Sequence, residues 1–431
     1  NKFLKKGVLT LGFQKINESR IKRRFNSLER SHQIEDLHVF SLNGDFDTSF
    51  DGGHSISYGV ESTYNYNDSK AYNQTLQISG NQVVGVLDKI PIPTRYPSDG
   101  SSYTSFASYL NWTWDLSQFF TFNVGTRLTF TGLKASWNDI ISVNPQLSEV
   151  NLNSRALTTT ISMKLRPTKR FQINTVLSSG FRNPNIDDIG KIRENNGLLL
   201  VPNTFLKPEY AYNLDLGIDF RSLDSKNYIS LRGFSTIISR HIGRDEYVVF
   251  SDITTPDLST IMYDGEEITT IANKNLGNRF IHGFSLDGFS KISDKINFNY
   301  DLTYTKGDNN ESYGPLPSIS PLFGSLSISY SKNNLKINSV FKFSDSKNVN
   351  EYSLSGEDGL DETPYILNEN GLLYLGTPSW SDLSVYGTKS ISPNIDLRMG
   401  VTNIFDSHYR TFASGISAPG RSIEIGLNLK L

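Results

Sequence analysis

The sequence of 431 residues contains no cysteine, which excludes disulfide bonds and thiolate metal sites. Its charge is nearly balanced, with 42 Lys and Arg residues against 44 Asp and Glu residues, for a formal net charge of -2. A nucleic-acid-binding protein usually carries a basic excess that pairs with the phosphate backbone. We therefore expect no nucleic acid partner.

Long hydrophobic runs are also missing. No stretch reaches the length of about 18 apolar residues that a membrane-spanning helix needs. The first ten residues contain lysines but no sustained apolar core, so they do not form a signal peptide. We expect a secretion signal upstream of Asn1, because a protein exported to a membrane needs one.

The chain also lacks the motifs of common catalytic sites. It has no Gly-rich phosphate loop with Lys, no His pair spaced for zinc on a helix, and no nucleophile elbow. We expect neither an enzyme nor a bound cofactor or metal.

What the sequence does contain is alternation with a period of two. From 423 to 431, Ile or Leu occupies every odd position, while the even positions hold Glu, Gly, Asn and Lys. The same pattern recurs at 210–220, 296–304 and 395–401. Successive side chains of a strand point to opposite faces, so each segment has one apolar and one polar face.

About sixteen such segments follow one another, each near or above the roughly 9 to 11 residues that cross a bilayer as a tilted strand. This predicts an all-β fold, a transmembrane antiparallel up-and-down β-barrel, occupying residues 1–431 as one domain. Aromatic residues near strand ends, such as Trp112 and Trp114, fit the girdles of such barrels.

Connections between the predicted strands alternate in length. The short ones carry turn residues and are expected in the periplasm: 166–169, 222–225, 293–295 and 331–334. The long ones are polar and are expected outside the cell: 65–103, 129–153, 179–207, 239–278 and 346–377. The first strand is expected from Gly7 to about Glu18, and the last strand ends in the periplasm.

Four motifs resemble those of TonB-dependent outer-membrane receptors. Phe-Arg-Asn-Pro-Asn-Ile-Asp-Asp at 181–188 resembles the FRAP-type box, with Asn183 in place of the usual Ala. A second box with Leu-Lys-Pro-Glu lies at 201–210. Gly-Val-Thr-Asn-Ile-Phe-Asp at 400–406 and Pro-Gly-Arg-Ser at 419–422 resemble the end of the family's barrel.

Further upstream, segments at 18–20, 23–25 and 58–61 resemble the haem and haemoglobin branch, or a siderophore branch, of Bacteroidota type. The resemblance implies a barrel of 22 strands enclosing an N-terminal plug. About 16 of the 22 strands are present, and we expect the plug, its TonB box and the first six strands to lie outside this sequence. An open sheet edge is not tolerated in lipid, which supports the expectation of further strands.

The resemblance implies uptake of a scarce nutrient, such as a ferric siderophore or haem iron, across the outer membrane of a Gram-negative bacterium. The implied partners are the TonB complex through the missing plug, lipopolysaccharide and other outer-membrane lipid, a small-molecule or metal-chelate ligand, and a surface lipoprotein. Two alternatives stay open, since sixteen is an even number: a complete porin-like channel, or a structural barrel subunit of a surface complex.

Six residues of the predicted outer loops are candidates for ligand binding: Arg182, Asp187, Asp188, His241, His408 and Tyr409. The first three occupy the FRAP-type box and are expected chiefly to organise the loop. In the haem branch, the loop between the two boxes commonly carries a histidine, but residues 189–203 contain none. Phenolate ligation is a further option at four tyrosines: Tyr212, Tyr247, Tyr263 and Tyr409.

Two charged segments are further candidates for binding ions or charged ligands. The basic segment 20–24, together with Arg30, could attract an anionic siderophore or lipopolysaccharide phosphate, or it could be a solvated hairpin loop. The acidic segment 357–362 offers oxygen ligands for calcium, but its spacing matches no known calcium loop.

Overall fold

A computed structural model describes residues 4–138, 149–189, 193–195, 197–248, 260–263, 266–310, 312–353, 356–369 and 371–429. Through the first half the elements are β1 (Lys6–Lys22), β2 (Glu29–Phe50), β3 (His54–Ser79), β4 (Gln82–Pro91), β5 (Ser101–Ser117), β6 (Phe120–Ser136), β7 (Glu149–Leu165), β8 (Phe171–Arg182), the helix α1 (Ile186–Ile189), β9 (Arg193–Asn195), β10 (Leu198–Leu200), β11 (Glu209–Arg221) and β12 (Asn227–Ser239).

The second half continues with β13 (Ile242–Glu246), β14 (Thr260–Tyr263), β15 (Glu266–Asn275), β16 (Arg279–Lys291), β17 (Ile296–Gly307), β18 (Asn309–Asn310), β19 (Gly314–Pro315), β20 (Phe323–Lys332), β21 (Leu335–Ser344), two 3-10 turns (Val349–Glu351 and Leu360–Glu362), β22 (Tyr365–Asn368), β23 (Gly371–Tyr374), β24 (Trp380–Ser392), β25 (Ile395–Thr402) and β26 (Ser422–Leu429). No helix in the described part of the chain is long and apolar enough to span a membrane.

Sixteen of the seventeen strands in the main sheet form one antiparallel meander. The order of pairing is β1, β2, β3, β5, β6, β7, β8, β11, β12, β16, β17, β20, β21, β24, β25 and β26. The seventeenth strand, β4, pairs only with the outer part of β3. The prediction of about sixteen barrel strands is confirmed.

The two faces of the meander differ as the alternation predicts. In β11, Tyr212, Leu214, Leu216 and Ile218 are exposed, while the residues between them are more buried. In β26 the four apolar residues Ile423, Ile425, Leu427 and Leu429 are all exposed, with Ile423 at 72%. Apolar side chains thus cover the outer face and polar side chains the inner face, as in a barrel surrounded by lipid.

The connections also alternate, which gives the barrel two distinct ends. Seven connections of two to five residues lie at one end, which we call the short-turn end: 51–53, 118–119, 166–170, 222–226, 292–295, 333–334 and 393–394. The other connections between consecutive strands of the meander lie at the opposite end, called the long-loop end, where the shortest of them is 23–28. The alternation is therefore confirmed, although which end faces the cell exterior stays a prediction.

Strands are longer at the long-loop end than the sequence pattern predicts. β3 has 26 residues and extends to Ser79, and β6 extends to Ser136, so 65–103 and 129–153 are only partly loops. β1 runs to Lys22 and includes three of the five residues of the basic segment 20–24. The prediction failed there because these outer segments are held by backbone hydrogen bonds to neighbouring strands, which do not require an alternation of apolar and polar residues.

A compact apolar core lies at the long-loop end, although 179–207 and 239–278 looked like polar loops. A small sheet of β9, β10, β13, β14 and β15 covers the ends of β6 and β7. The buried core consists of Leu133, Ala135, Trp137, Val150, Ile189, Leu199, Val201, Leu206, Ile242, Ile268 and Ala272. Burial of these side chains holds the loops in one arrangement.

An aromatic cluster marks the short-turn end. The His54 ring contacts both Trp112 and Trp114, with ring centroids 5.8 and 5.4 Å away, and Phe122 meets Trp112 edge to face at 6.1 Å. The two tryptophans predicted for a girdle therefore lie together near one rim of the barrel.

Candidate functional site

The six predicted ligand-binding residues fall into two cavities at the long-loop end. Arg182, Asp187, Asp188 and His241 line a cavity of about 290 Å³, which we call the box cavity. His408 and Tyr409 line a larger cavity of about 530 Å³, which we call the rim cavity. The structure brings four of the six together and separates the other two from them.

The FRAP-type box forms a corner around α1. Asn185 and Asp188 exchange hydrogen bonds between backbone and side chain, at 3.1 and 3.0 Å, which closes the turn after Pro184. The Arg182 guanidinium pairs with the Asp188 carboxylate. Burial raises the pKa of Asp188, while the contacts with Asn185 and Arg182 oppose this rise. Asp188 therefore helps to organise the corner.

Asp187 links this corner to another loop. It accepts a hydrogen bond of 2.7 Å from the Tyr96 hydroxyl, on the connection between β4 and β5. Burial and this bond raise the pKa of Tyr96 to about 12. Asp187 remains exposed beside the cavity, so its carboxylate combines a structural contact with access to solvent.

His241 is held by a carboxylate. Its Nδ1 lies 3.1 Å from Oε2 of Glu209, the glutamate of the second box, and the same oxygen accepts the backbone N–H of Ile242 at 2.6 Å. A carboxylate on one ring nitrogen fixes the orientation of an imidazole and makes the other nitrogen a better ligand. Glu209 thus adds a residue that the sequence analysis did not select.

Two further arginines line the box cavity. Arg279 is buried and donates from Nε to Asp308 Oδ1 at 3.0 Å and from Nη2 to the Gly314 carbonyl at 2.8 Å. Arg244 lies 3.6 Å from Glu357. The cavity therefore holds guanidinium and carboxylate groups side by side, which suits a ligand with several polar groups.

The rim cavity has aromatic and charged walls. Tyr409 stacks on Trp380 with ring centroids 4.3 Å apart, and His408 Nε2 lies 3.1 Å from Ser417 Oγ. Arg410 Nη1 donates to the Glu362 carbonyl at 2.6 Å. His408 is exposed, whereas Tyr409 is half-buried.

A buried ion pair lies between the two cavities. Lys347 and Asp358 are 4% and 1% exposed, with Nζ and Oδ2 3.3 Å apart. Asp358 also accepts the backbone N–H of Ser318 at 2.7 Å. Burial lowers the pKa of Lys347, and the Asp358 charge offsets part of this shift. Asp358 is thus a structural counterion, which argues against calcium at 357–362.

Other predicted ligands have different surroundings. The Tyr212 side chain lies on the outer apolar face, so a role as a phenolate ligand in the loops is wrong. The side chain of Tyr263 lies outside the described part of the structure, as does Leu431, the last residue of the alternating pattern at 423–431. Within the described part of the chain, no group of three or more His, Asp or Glu side chains is arranged to hold a metal ion.

A third histidine also reaches the long-loop end. His32 lies in the part of β2 beyond the barrel, stacks on Tyr72 at 4.8 Å and contacts Gln74 Oε1 at 3.0 Å. The sequence pattern predicts only His241 and His408 in the outer loops, because it does not show that β2 extends beyond the barrel to Glu29. His32 is nearly buried and its ring is engaged on both sides.

Comparison with solved structures supports the architecture. The copper transporter OprC matches with a TM-score of 0.74 and 15% identity, over 100% of this chain and 63% of that chain. The FrpB iron transporter from Neisseria meningitidis matches with a TM-score of 0.61 and 11% identity, over 98% and 63%. The ferric yersiniabactin uptake receptor FyuA from Yersinia pestis gives 0.61 and 13%, over 98% and 58%.

The chain thus spans less than two thirds of the length of these structures, and the low identities establish the shared fold alone. No curated protein matches the sequence. The family model described as TonB dependent receptor-like, beta-barrel, matches residues 7–404. The chain therefore belongs to the TonB-dependent receptor-like β-barrel family.

Proposed function

We propose that this protein is an outer-membrane receptor of a Gram-negative bacterium that takes up iron, as a ferric siderophore or haem, with energy from the TonB complex. The observation that carries the proposal is the presence of the box cavity and the rim cavity at the long-loop end, with the box cavity joined through Ile242 to the buried apolar core. In this proposal the long-loop end faces the cell exterior and the short-turn end faces the periplasm.

The fixed conformation of the loops at the long-loop end supports a receptor function. Loops without a core sample many arrangements, and fixing them on binding costs conformational entropy. Here Ile189 of α1, Leu199 of β10 and Ile242 of β13 share one core. The box cavity is therefore preformed, which is what capture of a dilute ligand requires.

The chemistry of the box cavity supports an iron complex with charged groups. Arg182 and Arg244 offer guanidinium groups to carboxylates or other anionic oxygens of a chelate. His241, oriented by Glu209, is the candidate axial ligand if the cargo is haem. Copper and iron appear in the names of the neighbouring structures, which is consistent with a metal-bearing cargo.

The expected partners belong to the same proposal. The TonB complex would act through a plug domain, and the outer face would contact lipopolysaccharide and other lipid. A surface lipoprotein could cover the long-loop end. The basic segment 20–24 is less available than it looked for lipopolysaccharide phosphate, because Arg20 pairs with Glu18 and Arg23 donates to the Ser27 carbonyl.

The porin alternative has less support. A complete barrel of sixteen strands needs β26 to pair with β1, and in the described residues β1 pairs only with β2 and β26 only with β25. The structural-subunit alternative would need no cavity at the long-loop end, whereas the box cavity and the rim cavity both lie there.

The test is growth of a deletion strain on defined iron sources. We expect slower growth than wild type on one class, either haem or a group of siderophores, with rescue by the plasmid-borne gene and no rescue in a strain without TonB. Unchanged growth on haem and on every siderophore would refute the iron reading. A large, steady ion conductance of the intact protein in a planar bilayer would refute a plugged receptor.

Variants of the box cavity distinguish the two cargo classes. His241→Ala is expected to abolish growth on haem if the imidazole binds the iron, and Glu209→Gln to weaken it. His282→Ala, at an exposed histidine on the outer face of β16 and outside both cavities, is the matched control and should keep wild-type growth. If His241→Ala leaves growth on haem intact, His241 is not the axial ligand.

A further inference from the structure

Another cavity lies at the opposite end of the barrel and has a strongly basic wall. Its volume is about 500 Å³. It lies at the short-turn end, between the connections 166–170 and 222–226. Its charged lining residues are Arg166, Lys169, Arg170, Arg221, Arg232 and Asp219.

The single carboxylate of this cavity is already satisfied. Asp219 Oδ1 accepts hydrogen bonds from Ser230 at 2.7 Å and Tyr228 at 3.3 Å, while Oδ2 accepts from Asn174 at 2.8 Å and Gln172 at 3.1 Å. Arg232 is the only one of the cavity's basic residues paired with it in the described structure, with Nη2 3.7 Å away.

Four cations remain without a carboxylate partner among the residues that the structure describes. Arg166 donates to the neutral Gln172 at 2.8 Å, and the Arg221 guanidinium lies 5.2 Å from the centre of the Tyr228 ring. Lys169 and Arg170 form no ion pair there. Like charges held around one cavity repel each other, so an anion entering it gains attraction from all of them.

The cavity is preformed on the inner face. Gln172 and Tyr228, which line it, bond to Asp219, and Asp219 lies among the inward-facing residues of β11. The turn that carries Arg170 is closed by the Thr168 hydroxyl, which accepts the backbone N–H groups of Arg170 and Phe171 at 3.2 Å each. The cations therefore line an ordered site on the inner face of the barrel.

We propose that this cavity binds a soluble multivalent anion, a ligand with several carboxylate or phosphate groups. Guanidinium groups pair bidentately with both, and a volume of about 500 Å³ suits a small solute. The inference rests on the proposed function, because it makes the imported chelate anionic and places a second binding site for it at the mouth where it leaves the barrel.

The test measures binding of citrate and of inorganic pyrophosphate to the full-length receptor in neutral detergent, by isothermal titration calorimetry at physiological salt. The variant Arg170→Gln/Arg221→Gln removes two guanidinium groups that have no carboxylate partner among the described residues. The control Lys295→Gln/Lys332→Gln removes the same charge from exposed lysines at other short turns. We expect wild type and control to bind alike, and the Arg variant to bind about tenfold more weakly or worse.

Several results would overturn the inference. These are equal affinity for all three proteins, equal weakening in the control, or no binding of either anion to wild type at millimolar concentration. Binding only of vesicles containing phosphatidylglycerol, or only of a poly-glutamate peptide, would replace the soluble anion by a lipid or an acidic polypeptide. Far-ultraviolet circular dichroism checks that each variant is folded.

Failure of this inference can be separated from failure of the proposed function. If iron uptake is confirmed but neither anion binds, the anion site is wrong and the receptor function stands. If the deletion strain has no iron phenotype but the Arg variant loses anion binding, the iron function is wrong and the anion site stands.

Discussion

Replacing Lys347 with methionine is predicted to loosen the loops between the two outer cavities without unfolding the barrel. Methionine keeps the length of the side chain but leaves Asp358, 1% exposed, as a buried carboxylate without its cation. Removing one partner of a buried ion pair usually costs about 3 to 5 kcal/mol. Asp358 keeps its hydrogen bonds from Ser318 and Ser353, so we expect about 3 kcal/mol.

A double-mutant cycle tests whether the charge pair is the cause. Asp358→Asn is also expected to destabilise the loops, because the buried ammonium loses its counterion. In Lys347→Met/Asp358→Asn both charges are gone, and the asparagine oxygen can still accept the Ser318 N–H. The double variant should therefore cost about 1 to 3 kcal/mol less than the sum of the single variants.

Amide hydrogen exchange with mass spectrometry is the assay. A loss of about 3 kcal/mol raises local opening roughly 100-fold, which should be seen in peptides from 312–322 and 346–353. Peptides from β7 and β8 should not change, and Lys336→Met, at an exposed lysine of β21, is the control variant. An additive cycle, or unchanged exchange in Lys347→Met, would refute the role of the ion pair.

Three further predictions concern the same end of the molecule. Leu199→Ala should cost about 2 to 5 kcal/mol and expose the small sheet to limited proteolysis, unlike the partly exposed neighbour in Leu198→Ala. The folded protein raises the pKa of Asp188, so the contribution of this carboxyl group to local stability is complete below its pKa in the unfolded chain. That contribution is lost as the pH rises through its pKa in the folded protein. Asp188→Asn should abolish this pH dependence of the exchange rates between pH 4 and 7. Gly376 has a φ of +79°, and a Cβ added there would lie 2.2 Å from the Lys347 carbonyl oxygen. Gly376→Ala should therefore lower the temperature at which the loops open, measured by hydrogen exchange at increasing temperature. The control Gly426→Ala, where nothing lies within 4 Å of an added Cβ, should leave that temperature unchanged.

The barrel could be predicted from sequence because its main signal is local. Alternation at 423–429 or 210–220 follows from the geometry of any strand with two different faces, and it needs no knowledge of distant residues. The outer part of β3 gives no such signal, since residues 67–79 are mostly polar and the few apolar ones do not alternate over its length. Its extension depends on pairing with β2 and β4, which sequence periodicity does not report.

The candidate site was predictable only in part for the same reason. Arg182 and Asp188 are six residues apart in one motif, so their proximity followed from the motif. Glu209 and His241 are 32 residues apart, and neither signals the other. Asp358 lies in an acidic run that looks solvated, and its burial becomes visible only once the fold brings Lys347 against it.

The 26 residues of β3 have a consequence for how far the protein reaches. About 10 residues of a tilted strand cross the hydrocarbon layer, which leaves about 15 residues beyond it. At about 3.3 Å per residue and a tilt near 45°, the ribbon rises roughly 35 Å above the bilayer core. Its tip at Gly80, where nothing lies within 4 Å of an added Cβ, would then lie beyond the lipid headgroups. An antibody against an epitope inserted there would bind intact cells if the long-loop end faces the cell exterior, and would thus determine the orientation of the protein in the membrane.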